Sequence, residues 1–170
     1  MSERVSFDEE LGFAYDLIKP IFDLINESPN TLGALHVCRG NYTRDVSGLL
    51  KGSYAQLSDF FSIAQPDMLA LEFSTPRAGN ISDLFKNEFI AEDIYLGLGV
   101  VDPKTDSIEQ PADIVKRVEE ALNFLPPERI WLNPDCGFAT FQQRPMSTEQ
   151  LLTAKIENMV KAAEVLRNLY

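Results

Sequence analysis

Apolar positions along this chain fall into two alternating patterns. Four short runs are nearly continuous in apolar residues: 31–38 (TLGALHVC), 67–74 (DMLALEFS), 93–101 (DIYLGLGVV) and 129–134 (RIWLNP). Each is bounded by Pro, Gly, Asn or Asp, as strand ends are. Near-continuous apolar strands suit a parallel sheet covered on both faces. Between and around them the apolar residues recur at helical spacing. The stretch 47–64 carries Leu49, Leu50, Leu57, Phe60, Phe61 and Ala64, and 111–125 carries Ile114, Val118, Ala121, Leu122 and Leu125. A short helix is expected within 80–89. A long one over 147–170 opens on Ser147 or Thr148 as N-cap. A further helix over 7–27 precedes everything, and Pro20 is expected to kink or divide it.

The order α-β-α-β-α-β-α-β-α predicts an α/β fold with right-handed crossovers. An open doubly wound sheet satisfies it. So do four of the eight βα units of a TIM (β/α)8 barrel, whose full form needs ~250 residues. At 170 residues the chain is read as a single domain, 1–170.

Composition narrows the function classes. The net charge of −11 argues against nucleic acid and against anionic membrane surfaces. No apolar run is long enough to span a bilayer. The polar, acidic start MSERVSFDEE has no leader pattern, so a cytoplasmic setting is expected. Two cysteines, 38 and 136, are too few for a disulfide scaffold. No Gly-rich phosphate loop is present, and no organic cofactor is expected. The GxG of Gly97 and Gly99 lies inside a strand, where it reads as close packing.

The metal-capable side chains lie at the carboxyl ends of predicted strands, the face on which α/β folds build sites. His36 and Cys38 close the first strand, Glu72 ends the second and Cys136 follows the fourth. In a strand, i and i+2 share a face, so His36 and Cys38 can reach one point. Two thiolates, an imidazole and a carboxylate form a soft site that favours zinc. Buried thiols and a hydrogen-bonded histidine are the plainer alternative. A carboxylate within LALEF needs a cation or strong donors, and Arg77 is the other candidate partner for Glu72. Asp135 is a candidate for orienting a ligand or a turn residue. Arg39 and Arg77 are read as surface ion pairs or carboxylate binders, Asp102 as a turn or acid–base residue, and Trp131 as core.

These stretches resemble the C-terminal catalytic barrel of cobalamin-independent methionine synthases, especially its short single-barrel relatives. The resemblance rests on LHVCRGN (35–41), LALEFSTPRAGN (69–80), LGLGVVDPKTDSIE (96–109) and ERIWLNPDCGFATF (128–141), in family order. It implies zinc held by His36, Cys38, Glu72 and Cys136, with Glu72 and Asp135 as catalytic-site residues. It implies methyl transfer from methyltetrahydrofolate, or another methyl donor, to a thiol such as homocysteine, giving methionine. The relatives have complete barrels, so this chain corresponds to their second half. The absent half carries groups that grip the amino acid. Exposed strand edges and an uncovered inner face then call for a homodimer or a separate N-terminal half-barrel. The alternative function is a zinc-binding half-barrel, inactive alone, that serves as a partner subunit or assembly module. The porphyrinogen decarboxylase-like barrels share the architecture, but the zinc-ligand set argues against them.

Overall fold

A computed structural model describes residues 6–86, 90 and 94–170. Helix α1 (Phe7–Asn26) opens on a capping box: the Glu9 amide donates to Ser6 Oγ, and the Ser6 amide to Glu9 Oε2. Strand β1 (Ala34–Val37) follows, then α2 (Ser58–Ala64), β2 (Met68–Glu72), α3 (Ile81–Leu84), β3 (Tyr95–Val101), α4 (Pro111–Ala121), β4 (Ile130–Pro134) and α5 (Glu149–Leu169). Thr148 is the N-cap of α5, its hydroxyl accepting from the Leu151 amide. No described helix is long and apolar enough to cross a membrane.

The four strands form one parallel sheet in the order β1-β2-β3-β4. The order never reverses, so the topological switch point of a doubly wound sheet is missing. Sequential parallel strands with right-handed crossovers place the helices on one face, as in one half of a barrel. The register sorts the side chains. Leu35, Leu69, Leu96 and Ile130 align, as do Val37, Leu71, Leu98 and Leu132. These rows meet Phe61, Ile114, Val118, Ala162 and Leu166 of the helices in one core. Truncating a fully buried Leu such as Leu69 or Leu98 to Ala costs about 2–5 kcal/mol.

The alternate rows define the other face. His36, Ala70, Gly97 and Trp131 align, and Glu72, Gly99 and Asn133 form the next row towards the carboxyl ends. This is the inner face of a barrel wall. Trp131 stands on it 54% exposed, edge-on to Tyr95, so it is not the core residue that its strand position suggests.

Three other expectations have different outcomes. Pro20 lies within α1, and the helix runs on through it undivided. The stretch 47–64 is not one helix. Gly52 takes a positive φ of 134°, a conformation that ends helical continuation. Leu49 instead packs in a loop against Gly40, and the turn Tyr54–Leu57, capped by Ser53, leads into α2. The short helix expected within 80–89 is α3, and residues 87–89 lie outside the described chain, as does 93 at the start of the third predicted strand.

Candidate metal centre

The carboxyl ends of the strands bring His36, Cys38 and Cys136 together, their ligand atoms all within 4.8 Å of one another. The two sulfurs are 3.1 Å apart, and Cys136 Sγ is 3.6 Å from His36 Nε2. Glu72 Oε1 is 3.1 Å from Cys136 Sγ. Cys136 therefore stands at the centre of the set. Burial pushes its thiol up, and neighbouring Cys38 and Glu72 add to the effect.

His36 is oriented by its strand. Its Nδ1 is 2.8 Å from the Ala70 carbonyl on β2. A carbonyl can only accept, so Nδ1 carries a proton and Nε2 is the ring nitrogen turned towards the Cys136 sulfur. Metal-binding imidazoles are commonly held this way.

Glu72 is 2% exposed. Its Oε1 accepts from the Arg39 amide, while its Oε2 is buried with no hydrogen-bond partner. Arg77 does not supply one, since its own Nε and one terminal nitrogen are buried and unpartnered. A buried carboxylate with one oxygen on the Cys136 thiol and the other orphaned fits a nearby cation, and two thiols, an imidazole and a carboxylate are a donor set that fits zinc.

The surrounding residues hold the strand ends in place. The Tyr54 hydroxyl accepts from the Glu72 amide and from Arg39 Nε, and donates to the Val37 carbonyl. It ties β1 to β2 directly beneath the ligands, and burial pushes its ionisation up. Arg39 stacks over the Tyr54 ring at 4.2 Å and is buried, so it is no surface ion-pair residue.

Asp135 is fully buried. Its Oδ1 accepts from the Phe73 and Ser74 amides, and its Oδ2 from the Ser74 hydroxyl. It thus ties the Cys136 loop to the end of β2 that carries Glu72. Burial pushes its carboxyl up to about 7, against the lowering effect of the Ser74 hydrogen bonds. Gly99 makes room for it: a Cβ there would stand 2.3 Å from Asp135 Oδ1 and 2.6 Å from the Leu71 carbonyl oxygen. Gly97 likewise admits Asn133, so close packing explains both glycines. Asp102 caps its own turn by accepting from the Lys104 amide.

Sequence reasoning did not single out Tyr54 or the backbone amide of Arg39. A tyrosine between two loop segments carries no spacing signal, and backbone donors carry none at all.

A family model described as "Cobalamin-independent synthase, Catalytic domain" matches residues 28–165. The Bacillus subtilis protein YxjG is 32% identical over 147 residues, 85% of this chain and 38% of that protein. A methionine synthase of Pyrococcus abyssi is 32% identical over 133 residues, 78% of this chain and 33% of that protein. The solved structure of a B12-independent methionine synthase from a Shewanella species shares the fold, with a TM-score of 0.66 at 18% identity, over 89% of this chain and 46% of that one. The chain spans less than half the length of each of these proteins.

Proposed function

The chain belongs to the cobalamin-independent methionine synthase catalytic-domain family, and on that premise we propose that it provides the metal-binding, thiol-activating half of a methyltransferase. The reaction moves a methyl group to the sulfur of a small thiol such as homocysteine. The sulfur–methyl bond forms, the donor's bond to its methyl breaks, and the thiol proton leaves with the donor. Methyltetrahydrofolate is the donor that the family suggests, and the cytoplasm, where free thiols persist, is the setting.

The observation that carries this reading is the convergence of His36, Cys38 and Cys136 around one point, with Glu72 Oε1 beside the Cys136 sulfur. These four would hold zinc. When bound, zinc lowers the pKa of a coordinated thiol and keeps its sulfur nucleophilic near neutral pH. The chain's own residues do the rest. His36 presents Nε2 because its Nδ1 donates to the Ala70 carbonyl. The Arg39 amide and the Tyr54 hydroxyl hold the Glu72 segment. Asp135 acts as a positioning residue that fixes the Cys136 loop.

The test begins with elemental analysis of protein purified without chelator or affinity metal. Zinc near one per chain, lost in Cys136→Ser, supports the reading. Homocysteine binding to the loaded protein is measured next. Zinc-free protein with freely reactive thiols sinks it.

The second reading, a zinc-binding module inactive by itself, is favoured by the inner face of the sheet, where Trp131 stands 54% exposed. Zinc binding with no affinity for homocysteine would select it.

A further inference from the structure

Two cations on the loops at the carboxyl ends of the strands stand without partners. We propose that Arg77, after β2, and Lys104, after β3, form a binding site for a small oxyanion, a carboxylate or a phosphate group, made of residues outside the metal-ligand set.

Lys104 is 4% exposed, and its Nζ is buried with no hydrogen-bond partner. An ammonium has three donors and no acceptor, so only an acceptor brought to it can satisfy it. On Arg77 the unpartnered buried nitrogens are Nε and Nη2. These two share one edge of the guanidinium and point their N–H bonds the same way. That edge matches the paired oxygens of a carboxylate or a phosphate. Buried charge without a partner is costly, and two such groups of one sign call for a counter-charge.

The acids on the same loops are committed elsewhere. Asp106 pairs with Arg44 at 2.8 Å, and Glu109 with Lys155 at 2.9 Å. Asp135 accepts from the Phe73 and Ser74 amides, and Glu72 Oε1 from the Arg39 amide. Asp102 takes the backbone amide of Lys104, not its ammonium. Among the described residues neither Arg77 nor Lys104 enters an ion pair. With a net charge of −11 the chain has acids to spare, so a shortage of them does not explain two bare cations.

The backbone brings the two loops under one cover. β2 and β3 are neighbours in the sheet. The segment after β1 is pinned to both cationic residues: Arg44 Nε donates to the Lys104 carbonyl at 3.1 Å, and the Gly52 amide to the Arg77 carbonyl at 3.1 Å. The same segment starts just past Cys38, so an anion held there lies on the face that carries the candidate metal centre.

The test titrates the full chain, stripped of metal, with inorganic phosphate and separately with glutarate. Calorimetry at fixed ionic strength in a chloride-free buffer reads the binding. Saturable one-to-one binding of either probe is expected, and the one that binds more tightly identifies the oxyanion as phosphate or carboxylate. Arg77→Lys keeps the charge but loses the paired edge, and Lys104→Met keeps the stem but loses the charge. Each should weaken binding about tenfold or more. Lys104→Met should also raise the urea midpoint of the unliganded chain, because it removes a buried charge that nothing pairs. Circular dichroism checks the fold of both variants, and Lys104→Met carries the test if Arg77→Lys does not fold. No saturable binding of either probe overturns the proposal. So does unchanged affinity in the folded variants, or a lowered midpoint in Lys104→Met, which would show the ammonium already satisfied within the chain. Binding is read without metal, so a chain that takes zinc and homocysteine but neither anion loses this site and keeps the proposed reaction.

Discussion

Cys38 and Cys136 are 98 positions apart in sequence, yet their sulfurs stand 3.1 Å apart. One closes β1 and the other follows β4, so the contact spans the whole sheet. Both lie in the group that also contains His36.

Removing either sulfur should therefore empty the centre. In Cys38→Ser and Cys136→Ser, bound zinc should fall from near one per chain to near none, because a hydroxyl replaces a thiolate poorly on this metal. Elemental analysis checks this, with circular dichroism showing that the helices persist. Retention of zinc by both variants would remove the thiols from the ligand set.

Gly99→Ala should destabilise the chain. The added methyl would meet Asp135 Oδ1 and the Leu71 carbonyl oxygen, and the latter is backbone that cannot swing aside. Overpacking of this kind costs about 1–3 kcal/mol, read from the shift of a urea midpoint. Zinc affinity should fall with it, since Asp135 anchors the Cys136 loop.

Asp135→Ala should cost about 1–3 kcal/mol, because it takes the acceptor from the Ser74 amide and leaves the Phe73 amide with the Gly99 carbonyl alone. Asp135→Asn should recover most of that loss. Its carbonyl oxygen can accept from both amides, and its NH₂ can donate to the Ser74 hydroxyl. Equal instability of the two variants in urea melts would show that the negative charge, and not the acceptor, matters.

Lys155 lies fully buried in α5, with Nζ 2.9 Å from Glu109 Oε2 and 3.1 Å from the Asp102 carbonyl oxygen. Glu109 in turn accepts from the Asp102 amide. The lysine thus fixes the loop after β3 to the last helix. Lys155→Met should cost about 1–3 kcal/mol, because Glu109 and the Asp102 and Ser107 carbonyls all lose a charged donor. The double variant Lys155→Met/Glu109→Gln should be less destabilised than the sum of the single ones in a thermal or urea double-mutant cycle.

The strands and the side chains gathered at the candidate centre were legible because both obey short rules. His36 and Cys38 share a face by a spacing of two, and Glu72 stands out as an acid within an apolar run. The four strands were bounded by turn residues within a few positions of their true ends. Other features depend on tertiary contacts. Leu49 and Leu50 sit at helical spacing from Leu57, but one is buried and the other exposed in a loop that Gly52 redirects. Trp131 has a strand's sequence context, yet the wall it stands on faces open space. Arg39 looks like a surface cation until Tyr54 is placed beside it.

The consecutive strand order has one more consequence. His36 and Cys38 come from the first strand, Glu72 from the second, the clearance at Gly99 from the third and Cys136 from beyond the fourth. The set is complete only when every strand has docked in register. A cross-link between Cys38 and Cys136 encloses 98 positions, and chain-entropy arguments put the constraint from a loop of about that length at about 4.7 kcal/mol. An ion held there is a clasp on the entire sheet, so occupancy of the centre records that the last strand has found its place.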